Sequence, residues 1–117
     1  MRFLLSFLFG IVFALYSCTY ENKEPETPVV ELCDTLDVSY ANDVSTIILM
    51  NCSSPSCHGE NGTFGDMSTY DLFKNYVDQG KITDRVIEQK NMPPSGPLSD
   101  KDINTLNCWI ENGAENN

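Results

Sequence analysis

The chain has 117 residues, with seventeen acidic and seven basic side chains and a net charge of −10. That balance excludes a nucleic-acid binder, because phosphate contacts need clustered Lys and Arg, and it disfavours direct contact with anionic lipid. It suits a soluble domain whose protein partner offers a basic patch.

Met1-Arg2 is a minimal basic start, and Phe3 to Tyr16 is almost wholly apolar, broken only by Ser6 and Gly10. The run is shorter than the roughly 20 residues a membrane-spanning helix needs. It fits the apolar stretch of a secretory signal peptide. Leu15-Tyr16-Ser17-Cys18 resembles a bacterial lipobox. The resemblance implies that residues 1–17 are a lipoprotein signal peptide and that Cys18 carries lipid, with enough acyl chains for stable anchoring. The competing reading is a simple signal peptide with an incidental cysteine. Thr19 to Glu31 is rich in glutamate and holds two prolines, a composition that cannot bury a core. Residues 18–32 are therefore expected to form the lipidated cysteine and a flexible acidic tether. An acidic patch after a lipidated cysteine also resembles a surface-export signal of some Gram-negative bacteria. The expected location is the outer membrane, on its periplasmic face or at the cell surface.

Residues 33–117 have room for one small domain, and helical signals outnumber strand signals throughout. Asp43 to Met50 places Val44, Ile47 and Ile48 on one helical face, although its β-branched residues also permit a strand. Gly59 to Met67 holds three glycines and reads as loop. Ser68 to Asp71 has the spacing of a capping box. It opens a helix with Leu72, Phe73, Tyr76 and Val77 on one face and a stop at Gly80. Thr83 to Gln89 is a second short helix with Val86 and Ile87 inward. Met92 to Pro97 contains three prolines and cannot be regular structure. Ser99 to Asp102 repeats the cap signal before a helix that carries Ile103, Leu106, Trp109 and Ile110 on one side and stops at Gly113.

The densest chemistry lies at Cys52-Ser53-Ser54-Pro55-Ser56-Cys57-His58, where two cysteines precede the only histidine. Two thiols followed at once by an imidazole have the make-up of a covalent haem-attachment site. Each sulfur adds to a vinyl group, and the imidazole is aimed at the iron. Four residues separate the cysteines where the usual spacing is two. Ser53, Ser54, Pro55 and Ser56 are small or turn-forming and can loop outward.

Taken in order, these segments resemble a small class I cytochrome c domain of the type found in bacterial lipoproteins. The carrying motifs are Cys-His-Gly at 57–59, Met-Pro-Pro at 92–94, Leu-Ser-Asp at 98–100 and Trp-Ile-Glu-Asn-Gly-Ala at 109–114, over residues 44–114. The resemblance implies an all-α domain of three to four short helices around one covalent haem c. It also implies that Val44 and Ile48 meet Leu106 and Trp109. His58 and Met92 would be the axial iron ligands, with the second imidazole nitrogen bound to a backbone carbonyl of the proline-bearing loop. Met67 and Met50 are the rival thioethers, and Met50 is expected in the core. A six-coordinate iron leaves no position for substrate, so the expected role is one-electron transfer to a redox protein and not catalysis.

With Cys18 allotted to lipid and Cys52 and Cys57 to haem, Cys33 and Cys108 remain, and an exported protein is expected to pair them. One alternative is a haem-free surface lipoprotein module in which Cys52 and Cys57 form a disulfide staple and His58 is incidental. Another, a transition-metal site on the same thiols and His58, lacks a clear fourth ligand.

Overall fold

A computed structural model of the chain describes residues 32–117. The apolar run at 3–16, the lipobox with Cys18 and the acidic segment to Glu31 lie outside the described residues.

Ser39 starts the first helical stretch. Its hydroxyl accepts the Asn42 N–H at 3.1 Å, and its own N–H donates to the Asp43 carboxylate at 2.9 Å. This is a reciprocal cap widened by one residue, and the turn it begins is correspondingly wide. The Val44 N–H reaches back five residues to the Ser39 carbonyl at 3.2 Å. Tyr40–Val44 is thus a π-helical turn, π1, which tightens into the α-helix α1, Ser45–Asn51. The helix expected from Asp43 therefore begins three residues earlier, and strand geometry is absent among the described residues.

The second helix, α2, spans Tyr70–Asp78. Its cap is Thr69 and not Ser68: the Thr69 backbone is extended, and its hydroxyl is the one directed at the Leu72 N–H, at 3.5 Å. Ser68 is occupied by the preceding turn, where its N–H donates to the Asp66 carboxylate at 2.7 Å. Gly80 ends the helix in a left-handed conformation. Thr83–Glu88 follows as a second π-helical segment, π2, with Val86 buried and Ile87 partly so. Residues 90–98 are irregular, as their prolines require.

The last helix, α3, spans Asp100–Glu111. Ser99 caps it, accepting the Asp102 N–H at 3.1 Å and donating to the Asp102 carboxylate at 2.8 Å. Ile103, Leu106 and Trp109 are buried and Ile110 is half-buried, so a single stripe faces inward. Ser99→Ala removes the cap and is expected to lower stability by about 1 kcal/mol, read as a shift of the urea midpoint at unchanged slope.

Trp109 is the centre of the core. It stacks on Phe73 at 5.8 Å between ring centroids and meets Tyr40 at 5.7 Å and Tyr70 at 6.4 Å. Val44, Ile48, Leu106 and Trp109 share this buried cluster, and π1 packs on α3. The tail after Gly113 turns back over it. The Trp109 indole donates to the Glu115 carbonyl at 2.9 Å, Tyr70 donates to the Ala114 carbonyl at 2.9 Å, and the Ala41 N–H donates to the Asn117 carbonyl at 3.0 Å. Cys33 and Cys108 stand at disulfide distance, 2.04 Å between sulfurs, tying the start of the described chain to the fully buried middle of α3.

Candidate functional site

Residues 52–67 form a knot of short-range backbone bonds between α1 and α2. α1 ends at Cys52, whose N–H still bonds the Ile48 carbonyl at 2.9 Å. The four-residue spacer then closes on itself. The Cys57 and Gly59 N–H groups both donate to the Ser54 carbonyl at 2.9 Å, and the His58 N–H returns to the Cys52 carbonyl at 3.1 Å. The outward loop is therefore a hydrogen-bonded turn that leaves Cys52 and the Cys57-His58 pair side by side. Gly59 sits beneath it, and a Cβ there would come within 2.6 Å of the Ser53 carbonyl oxygen.

The two thiols are free and unlike each other. Cys52 packs against the core cluster. Burial, followed by the repulsion of a charge on Cys57, pushes its thiol up to about 11. The Cys57 sulfur lies at the surface, where hydrogen bonds from Ser54 and then Ser56 hold its pKa below the ordinary value. The two sulfurs are not bonded to each other. Between them the Ser53 hydroxyl is buried with no hydrogen-bond partner.

His58 is held by three residues that the sequence did not single out. Its Nδ1 lies 3.2 Å from the Gly65 carbonyl oxygen. A carbonyl only accepts, so Nδ1 carries the proton and the lone pair of the neutral ring is on Nε2. The Tyr76 ring meets the imidazole edge to face at 5.9 Å, and Phe64 flanks it at 6.4 Å. The acceptor thus belongs to the glycine-rich loop and not, as the resemblance implies, to the proline-bearing loop. That loop is itself fixed by the Phe64 N–H on the Cys57 carbonyl at 3.2 Å and the Met67 N–H on the His58 carbonyl at 2.8 Å.

The methionines divide clearly. Met50 is 80% exposed on the outer face of α1, which corrects its expected place in the core. The buried stripe of π1 and α1 is already filled by Val44, Ile47 and Ile48, and Met50, in the last turn of α1, lies at its edge and opens to the surface. Met67 is buried in the core. Met92 is half-buried against the core, and its loop is moored to π2, with the Asn91 and Met92 N–H groups both on the Arg85 carbonyl at 3.0 and 3.2 Å. Among the described residues no group of three or more His, Cys, Asp or Glu side chains is gathered as a metal cage. No described helix is long and apolar enough to cross a membrane.

No family model matches the chain, and neither the curated proteins nor the solved structures contain a match.

Proposed function

We propose that this chain is a lipid-anchored monohaem c-type cytochrome that carries single electrons in the cell envelope. The observation that carries the reading is the state of His58: Nδ1 is committed to the Gly65 carbonyl, Nε2 is free to ligate, and two unpaired thiols precede the ring in sequence. A backbone acceptor on the non-ligating nitrogen is the usual way a protein orients a metal-binding imidazole.

The residues at the site fit a covalently attached haem. Cys52 and Cys57 would hold it through thioethers, His58 would supply one axial nitrogen and Met92 the opposite thioether. Bound haem supplies a one-electron couple at its iron, and a thioether ligand raises the potential of that couple. The unpartnered Ser53 hydroxyl is a buried donor of the kind that is costly to leave unmet, and an acceptor on a bound group would satisfy it. The mooring of the Met92 loop to Arg85 limits the motion of that side chain before it binds, so less ordering entropy is lost on ligation. The exposed Phe64, Leu49 and Met50 are apolar surface in or beside the motif, which suits a site that covers a large apolar ring. The net charge of −10 favours a redox partner with a basic docking face, and Cys18 would keep the carrier at the outer membrane.

Protein matured where haem-attachment machinery is present is expected to be red. Its Soret and α bands are expected to remain with the polypeptide through an acid-acetone wash. Colour that leaves with the solvent would show that the haem is not covalently held, and colourless protein would reject the reading.

A further inference from the structure

We propose that Tyr76, on α2, is the positioning residue for the His58 imidazole, acting through the Gly65 carbonyl; the proposal rests on the reading of His58 as an iron ligand. Three contacts converge on it. The Tyr76 ring lies edge to face with the imidazole, 5.9 Å between centroids at 74°. Its hydroxyl is directed at the Phe64 carbonyl, 3.4 Å away. That hydroxyl also occupies the space where a Cβ on Gly65 would stand, and Gly65 has φ +95°, a conformation open to glycine and strained for other residues.

These contacts make one device. Gly65 is glycine because the tyrosine hydroxyl rests on its Cα and because the turn is left-handed there. The turn is what directs the Gly65 carbonyl at His58 Nδ1. The tyrosine therefore sets the imidazole in two ways: its ring limits rotation of the imidazole, and its hydroxyl, directed at the Phe64 carbonyl and packed against Gly65, seats the residue whose own carbonyl faces Nδ1. On the exposed side the Lys81 ammonium lies 5.3 Å from the centre of the Tyr76 ring, a cation–π contact that keeps the ring from swinging outward. Since Tyr76 and Lys81 lie in and just after α2, the orientation of His58 is coupled to the helix that also buries Phe73 and Val77.

The test uses the full chain prepared without haem. The chain has one histidine, so its imidazole nitrogens give one uncrowded set of 15N signals. At a pH where histidine side chains are neutral, about 8.5, the folded chain is expected to show predominantly the Nδ1–H tautomer. The same chain in urea shows the unbiased mixture. Tyr76→Ala is expected to move the folded signal to that mixture, and Tyr76→Phe, which keeps the ring contact but loses the hydroxyl on the Phe64–Gly65 turn, to give a bias between those of Tyr76→Ala and the parent. Gly65→Ala is expected to act like Tyr76→Ala, because the added methyl would meet the tyrosine hydroxyl and strain the left-handed turn that carries the Gly65 carbonyl. Folded Tyr76→Ala protein with the wild-type tautomer ratio overturns the proposal. Should Tyr76→Ala fail to fold, Tyr76→Leu decides in its place: a preserved ratio overturns the proposal and a lost one supports it. A failure of the chain to take up haem would strike the cytochrome reading alone, since the tautomer measurement contains no haem.

Discussion

Chain in which both Cys52 and Cys57 are replaced by alanine is expected to carry no covalent haem, while each single replacement leaves one thioether and a pigment that resists extraction. The two thiols are the only free ones among the described residues, Cys33 and Cys108 being joined, so no other described sulfur can substitute. The fold is expected to survive. Cys57 lies at the surface, and Cys52 only flanks the core cluster. Truncating Cys52 removes a little buried area, on the order of 1 kcal/mol, and Cys57 contributes no buried surface at its sulfur. Helical circular dichroism of the double variant should therefore match the parent while its visible spectrum is lost or its haem becomes wholly extractable. The two single variants should also differ. The Cys57 attachment adjoins His58 directly, whereas the Cys52 attachment reaches it through the spacer turn and the bond from the His58 N–H to the Cys52 carbonyl. Loss of Cys57 is expected to disturb axial ligation more, visible as a larger change in the Soret band. Retention of a full complement of unextractable haem by the double variant would contradict the assignment.

The largest effect on stability is expected from opening the Cys33–Cys108 bridge. The cysteines are 75 residues apart, and a cross-link over such a loop restricts the unfolded chain by about 4 kcal/mol in the chain-entropy account. Small domains have roughly 5–15 kcal/mol in total, so the bridge accounts for between about a quarter and most of the stability. Cys108 is fully buried, which makes the double alanine replacement preferable to serine: a buried hydroxyl without a partner adds its own cost. Urea unfolding of Cys33→Ala/Cys108→Ala against the parent should show the loss as a much lower midpoint. A difference below about 1 kcal/mol would mean that the bridge does not constrain the unfolded chain as loop closure requires.

The parts of the fold that were legible in the sequence are those set by local chemistry. Ser99, Asp102 and the stripe Ile103, Leu106 and Trp109 define α3 by cap and period alone, and the structure has that helix at Asp100–Glu111. Gly80 and Gly113 mark helix ends because each adopts the left-handed conformation that stops a helix. The cap of α2 was misplaced by one residue because Ser68 and Thr69 offer the same hydroxyl. What separates them is the Asp66 carboxylate, which takes the Ser68 N–H, and a capping pattern does not register that competition. The π-helical turns were not legible either. Apolar periodicity is nearly the same for a π turn and an α turn over five residues, and the widening at Tyr40–Val44 comes from the reach of Asp43 to Ser39.

At the candidate site, the cysteines and the histidine announce themselves by adjacency, whereas their support does not. Gly65 acts through a backbone carbonyl, which every residue possesses, so no residue type signals it. Tyr76 looked like one more member of an apolar face, and only the tertiary arrangement brings its ring to His58. Met50 follows an apolar run and so reads as core, yet it stands at the surface of α1.

The most direct test is the intact mass of the protein after maturation with haem-attachment machinery. Addition of a thiol across a vinyl group releases no atom. The expected mass is therefore the mature polypeptide, its lipid where present and one whole haem, with two hydrogens missing for the Cys33–Cys108 bridge alone. A mass equal to the polypeptide without a haem increment, or one with four hydrogens missing for a second disulfide at Cys52 and Cys57, would contradict the account.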